Sequence, residues 1–174
     1  MIPVKVHSVV FSQEARGFAV ILNDEVGNKW LPIYVGPFEA QSIALELEKI
    51  VPPRPLTHDL LKNITRTLNG AVIKVEVVDL KENTFYAVIT LDRNGEKIEI
   101  DSRPSDAIAL ALRFNAPIFV AQNVLEQAGM ESKPESVENN QLAELQKKLR
   151  EAIETENFEE AARLKNEITR LSKK

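Results

Sequence analysis

The 174-residue sequence contains no cysteine. Disulfides, cysteine nucleophiles and thiolate metal sites such as zinc fingers are therefore excluded. It also lacks any apolar run near the roughly 20 residues that a bilayer-spanning helix requires. The start, Met1-Ile2-Pro3-Val4-Lys5, has no charged segment leading into an apolar one, so a cytoplasmic location without membrane association is expected. No G-x-x-x-x-G-K, G-x-G-x-x-G, H-E-x-x-H or G-x-S-x-G occurs, which leaves nucleotide-dependent and hydrolase-elbow chemistries without a foothold. Histidine is scarce, with two residues, His7 and His58. Positive charge is in deficit: 22 Lys and Arg against 26 Asp and Glu give a net charge of −4. That balance argues against a passive nucleic-acid coat, whose affinity comes from Lys and Arg neutralising phosphates. It is compatible with nucleic-acid hydrolysis, in which carboxylates hold a divalent cation that meets the phosphate.

What is present is a globular composition, 44% hydrophobic and 28% charged, with an internal similarity between residues of about 4–47 and 73–114. Val4-Lys5-Val6 matches Ile73-Lys74-Val75, and Phe18-Ala19-Val20-Ile21 resembles Tyr86-Ala87-Val88-Ile89. Gly27-Asn28-Lys29 matches Gly95-Glu96-Lys97, and Ile33-Tyr34-Val35-Gly36-Pro37-Phe38-Glu39-Ala40 matches Ile100-Asp101-Ser102-Arg103-Pro104-Ser105-Asp106-Ala107. Alternation in Ile73-Lys74-Val75-Glu76-Val77 and Lys97-Ile98-Glu99-Ile100-Asp101 predicts half-buried strands. Asn94-Gly95 predicts a hairpin turn. Pro37 and Pro104 stand where helices should begin, since the first helical position has no use for an N–H. The expected fold is α+β: duplicated βββα units forming an antiparallel-rich sheet domain over residues 1–128.

Between the repeats, Pro52-Pro53-Arg54-Pro55 makes a stiff approach to another helix, with Thr57 as the expected N-cap and Asn69-Gly70 as its C-cap. Residues 129–139 read as a linker. From residue 140 the spacing is helical: Leu142, Leu145, Leu149 and Ile153 form one stripe, and Ala161, Leu164, Ile168 and Leu171 another, with a turn at Glu156-Asn157-Phe158. A hairpin over 140–174 is too small to bury a sufficient core alone. Its apolar surface, with Leu145, Leu149, Phe158 and Leu164 as the candidate contacts, is expected to meet a second copy or another helical protein.

The densest polar cluster is Asp101, Arg103 and Asp106, at the exit of a strand into a helix. Asp101 and Glu99 share a strand face about 7 Å apart. With Asp106 they are candidate ligands for a divalent ion, and oxygen donors suggest Mg or Mn rather than zinc. Arg103 could grip a phosphate bidentately. The structural alternative is that Asp106 complements a helix dipole while Arg103 fastens the turn. Glu39 is the counterpart of Asp106, and under a pseudo-twofold the two acids would face each other. His58 and Asp59 lie in a helix first turn, where the dipole favours the neutral ring that a base requires; otherwise His58 fixes the proline-rich approach. His7 reads as a solvated strand residue.

Three separated segments carry a family resemblance: Leu31-Pro32-Ile33-Tyr34-Val35-Gly36-Pro37-Phe38-Glu39-Ala40, Arg54-Pro55-Leu56-Thr57-His58-Asp59-Leu60, and Asp101-Ser102-Arg103-Pro104-Ser105-Asp106-Ala107-Ile108-Ala109-Leu110-Ala111. Together they resemble the bifunctional nuclease family, and the resemblance implies cleavage of DNA and RNA. The site so implied holds Asp101, Arg103, Asp106, His58 and Asp59 in catalysis, with Arg54 and Arg103 at the substrate. The tail, through Leu145, Leu149, Ala152-Ile153, Asn157-Phe158-Glu159, Ala161-Ala162 and Leu164, resembles the UVR motif of excision-repair subunits, which implies a protein partner. Asn157 stands where that motif usually has aspartate. The rival reading is a non-catalytic homo-oligomeric adaptor that recruits a partner through the hairpin.

Overall fold

The computed structural model describes residues 1–13, 15–24, 29–131, 145–149, 151–152 and 157–171. The chain falls into two compact units, Met1–Ser132 and Lys133–Lys174. In the first, the order is β1 (Ile2–Ser12), β2 (Gly17–Asp24), β3 (Lys29–Val35), α1 (Pro37–Leu47), α2 (Thr57–Thr67), β4 (Gly70–Lys81), β5 (Thr84–Arg93), β6 (Glu96–Ser102), α3 (Pro104–Phe114), β7 (Ile118–Val120) and α4 (Gln122–Ala128). One seven-stranded sheet runs β3-β2-β1-β7-β4-β5-β6. All its pairings are antiparallel except β4 with β7.

The two antiparallel meanders, β1-β2-β3 and β4-β5-β6, flank β7. Val6 pairs with Leu22 just before a bulge in β1, and Val72 pairs with Leu91 just before a bulge in β4. The halves therefore share element order and bulge position. The ladders make Val6 equivalent to Val72, and through Val20↔Ile33 and Ile89↔Ile100 they make Val20 equivalent to Ile89 in the two meanders. This corrects the strand matches made from sequence, which coupled Val6 to Val75 and Ile21 to Ile89. A strand slipped by one residue exchanges its two faces, and it is Val20 and Ile89 that both enter the core.

Alternate residues such as Val20, Leu22, Val75, Val77, Ala87 and Ile89 point to one face, where they pack against Ile43 of α1, Ile108 of α3 and Leu125 of α4. Each such aliphatic side chain contributes about 1.5–3 kcal/mol on burial. The three-residue β7 supplies Ile118 and Val120 to the middle of this core. Pro37 and Pro104 open α1 and α3, with Gly36 and Arg103 as extended N-caps. Asn94 and Gly95 both take positive φ, at 54° and 87°, as a tight hairpin of the primed type needs.

The cap of α2 differs from expectation. Leu56, extended at ψ 177°, is the N-cap, and Thr57 is already helical. The Asp59 carboxylate reaches back to accept the Leu56 N–H at 2.9 Å, so the acid three residues on does what the hydroxyl was expected to do. At the other end Asn69 adopts left-handed φ of 56°, as anticipated.

In the second unit, residues 145–149 and 151–152 are helical and α5 spans Phe158–Leu171. Asn157 Oδ1 accepts the Glu160 N–H at 3.3 Å, so the amide caps the helix as an aspartate would. Leu145 and Leu149 pack against buried Ala152 and Leu164. Leu142, Ile153 and most of the expected linker lie outside the described residues, as do the side chains of Phe158, Ala161 and Leu171. Among the described residues no helix is long and apolar enough to cross a membrane.

Candidate functional site

Helices α1, α2 and α3 converge on a cleft of about 590 Å³, lined by Phe38, Glu39, Gln41, Ser42, Pro55, Leu56, Thr57, His58, Leu61, Arg103 and Asp106. Two of its acids occupy the first turns of helices that begin with proline. Asp106 in α3 and Glu39 in α1 sit at N3, where the dipole favours negative charge. The two acids, expected to face each other, meet at one guanidinium. Arg103 Nη2 is 2.8 Å from Glu39 Oε1, while its Nε and Nη2 donate to Asp106 Oδ2 and Oδ1 at 2.8 and 3.2 Å. Arg103 remains 66% exposed. Gly36 makes room for this arrangement, because a Cβ there would stand 2.5 Å from Glu39 Oε2.

His58 continues the chain inward. Its ring is buried, with Nε2 3.1 Å from Asp106 Oδ1 and Nδ1 2.9 Å from Ser42 Oγ. With Asp106 ionised, Nε2–H donates to the carboxylate, and the neutral ring accepts the Ser42 hydroxyl at Nδ1. Both ring nitrogens are engaged, which leaves neither free to bind a metal. Burial pushes the Asp106 carboxyl up, but hydrogen bonds from Arg103 and His58, together with the Arg103 charge, outweigh it and leave the group below the usual range. The hydrogen bond and charge of Asp106, followed by those of Glu39, raise Arg103 further above its already high value.

Asp59, next to His58 in the first turn of α2, belongs to a neighbouring ion pair. Arg113 Nε donates to Asp59 Oδ1 at 2.7 Å, Nη1 to the Ala109 carbonyl at 3.0 Å and Nη2 to the Ser42 carbonyl at 3.3 Å. Burial raises the Asp59 carboxyl, yet the Arg113 hydrogen bond and the Leu56 N–H bring it below the ordinary value. Arg113 thus ties α1, α2 and α3 together one layer beneath the cleft.

The expected residues divide. Arg103, Asp106 and His58 come together, and Asp59 stands just behind them. Asp101 and Glu99 are exposed on the edge strand β6, opposite Val88 and Thr90, and neither lines the cleft. Arg54 is exposed on the proline-rich approach. The ligand set expected from Asp101, Glu99 and Asp106 does not assemble. Among the described residues no group of three or more His, Asp or Glu is placed to hold a metal ion, and Asp106 is turned to Arg103 and His58. His7 is exposed, its ring edge-on to Trp30 at 5.0 Å. Sequence reasoning missed Ser42 and Arg113. Each lies on a helical stripe with a residue it singled out, Ser42 at i+3 from Glu39 and Arg113 at i+7 from Asp106.

Comparison with known proteins agrees with this arrangement of parts. Residues 20–133 match the model of the bifunctional nuclease domain, and residues 139–174 match the UvrB/uvrC motif. An uncharacterized protein of Mycobacterium tuberculosis is 42% identical over 127 residues, covering 73% of this chain and 76% of that protein. Bifunctional nuclease 1 of Oryza sativa subsp. indica is 30% identical over 116 residues, 64% of this chain but 35% of the plant protein. Bifunctional nuclease 2 of Arabidopsis thaliana is 28% identical over the same shares. With the family model covering well over half of its length, the chain belongs to the bifunctional nuclease domain family.

Proposed function

We propose that this chain hydrolyses phosphodiester bonds of DNA and RNA in the cleft between α1, α2 and α3. The observation that carries the reading is the continuous chain Glu39–Arg103–Asp106–His58–Ser42, which runs from an exposed guanidinium to a buried hydroxyl. Arg103 Nη1 has no partner among the described residues, and its planar fork suits a phosphate oxygen pair. A phosphate arriving there competes with Glu39 and Asp106 for the guanidinium. Once Arg103 turns to the substrate, burial of Asp106 is no longer outweighed, and its carboxylate becomes a stronger base. Asp106, held in place by His58 Nε2–H, then takes the proton of the attacking water. The water oxygen bonds to phosphorus as the P–O bond to the leaving oxygen breaks, and that oxygen takes a proton from solvent. Arg103 stabilises the charge that builds on the phosphoryl oxygens.

The test is cleavage of single-stranded DNA and RNA by the purified full chain in Mg²⁺, Mn²⁺ or chelator, beside Arg103→Ala and Asp106→Asn. Activity that copurifies with the chain and disappears in both folded variants is the expected result, and the chelator arm shows whether a divalent ion takes part. Activity unchanged in both variants overturns the assignment. The adaptor reading has one observation in its favour: two carboxylates already balance Arg103, as in a structural latch. An inert wild type whose Arg103→Ala variant loses only stability would favour it.

A further inference from the structure

Helix α2 is turned inside out. A surface helix normally presents its apolar stripe to the core, yet the one residue of α2 that is buried is His58. The side of α2 that meets the body is polar or charged. His58 bonds Ser42 and Asp106, Asp59 bonds Arg113, and the Arg66 guanidinium lies 5.4 Å above the Phe114 ring. Lys62 and Thr65 are half-buried on the same side. The opposite side carries Leu60, Leu61, Ile64 and Leu68, exposed by 53, 40, 47 and 64%. This apolar surface continues through Leu56 to Phe38 at the rim of the cleft.

We propose that this ridge is the interface through which two copies of the chain pair about a twofold axis, α2 against α2. Leu60, Ile64 and Leu68 fall at four-residue spacing, the row of side chains that fits the groove of a second helix. A twofold sets the same patch against itself, and self-pairing requires that the patch not repel itself. The residues beside the α2 part of the ridge are Thr57, Asn63 and Thr67, none of them charged, and charge appears only at the cleft end, where Glu39 and Arg103 pair with each other near Phe38. The exposed portions of the six apolar side chains amount to about 500–600 Å² per copy, at the upper end of what monomers leave open. Two copies with their polar margins reach the roughly 1,200 Å² at which specific interfaces begin. Nucleic acid or an anionic membrane would call for cations on the ridge, whereas Lys62 is half-buried on the other side of α2 and Arg66, though exposed, lies over the Phe114 ring. Pairing would also give α2, held to its own subunit mainly by polar contacts, an apolar anchor that steadies His58.

Sedimentation equilibrium of the full chain over a micromolar concentration series tests the interface. A dimer is expected, and a Leu60→Glu/Ile64→Glu variant should sediment at half that mass with unchanged circular dichroism and melting, because both positions are exposed in the single copy. Since the sequence has no cysteine, Asn63→Cys introduces a single thiol, and a short bis-maleimide should link two such chains. A wild type that stays monomeric, or pellets with anionic vesicles as a monomer, overturns the proposal. So does a double variant that keeps the dimer mass, or a dimer whose Asn63→Cys chains fail to link.

Discussion

Arg113 and Asp59 form an ion pair of 2.7 Å in which the arginine side chain is 2% exposed and the aspartate 24%. A buried cation is tolerated only when paired and hydrogen-bonded, and Arg113 also satisfies the carbonyls of Ala109 and Ser42. Replacing it by methionine should cost about 3 kcal/mol, the lower end for a broken buried pair, because Asp59 keeps some solvent. Chemical denaturation checks the value. The Asp59 carboxyl lies below its ordinary value in the folded chain, so its contribution is fully present above the unfolded value of about 4 and is lost as pH falls through the folded one. Stability of the wild type should therefore drop more steeply below about pH 4 than that of Asp59→Asn.

Gly36 governs Glu39. A Cβ at this position would stand 2.5 Å from Glu39 Oε2, and the far end of a glutamate can move aside at small cost. Gly36 has φ −69°, so alanine brings no backbone strain. Gly36→Ala should therefore leave the melting temperature nearly unchanged while displacing Glu39 from Arg103. With one competitor removed, inorganic phosphate and oligonucleotides should bind more tightly, as titration calorimetry would show. An unchanged affinity would mean that Glu39 does not restrain Arg103.

The parts of this fold that could be read from sequence are those set by local chemistry. Strand positions, proline at the starts of α1 and α3, and Asn94-Gly95 each reflect a preference of a few neighbouring residues, and each stands where expected, although Ile100 of β6, read as half-buried, is exposed. The insertion of β7 between β1 and β4 was not legible, because three residues carry too little periodicity and their pairing is decided by distant strands. For the site, proximity in the motif was a partial guide. Asp106, Arg103 and His58 meet, whereas Asp101, two residues before Arg103, is exposed on an edge strand and does not line the cleft. Ser42 and Arg113 could have been found as polar residues at core-facing positions of otherwise apolar helices. That signal names a buried partner without saying who it is.

His58 links the catalytic proposal to stability in a way that two substitutions separate. His58→Ala leaves the Ser42 hydroxyl without its partner and Asp106 Oδ1 with Arg103 Nη2 alone, and should cost about 1–3 kcal/mol. His58→Gln can restore a hydrogen bond to Asp106 and recover part of that loss. If His58 orients Asp106 for proton transfer, cleavage should fall by about 100-fold or more in His58→Ala and recover partly in His58→Gln, in parallel with the Asp106 contact. Kinetics and melting measured on the same preparations check this. Recovery of stability with no recovery of rate would show that the ring does more than hold the carboxylate.

Where the first unit ends can be tested by truncation. Residues 129–139 read as a linker, yet Met130 forms an isolated bridge with Trp30 on the edge strand β3, its N–H donating to the Trp30 carbonyl at 2.7 Å and its carbonyl accepting the Trp30 N–H at 2.8 Å. These bonds occupy an edge that would otherwise present unpaired backbone groups to other chains. Removing everything after Ser132 should leave a cooperatively folding unit, because Met1–Ser132 holds its own core. Removing everything after Ala128 takes the bridge as well. The shorter chain should be less stable by about 1–2 kcal/mol for two backbone hydrogen bonds, and its bared edge should aggregate more readily. Thermal melts and light scattering on the two truncations make the comparison. Equal stability and equal solubility would show that the Met130 bridge protects nothing and that the unit ends at Ala128.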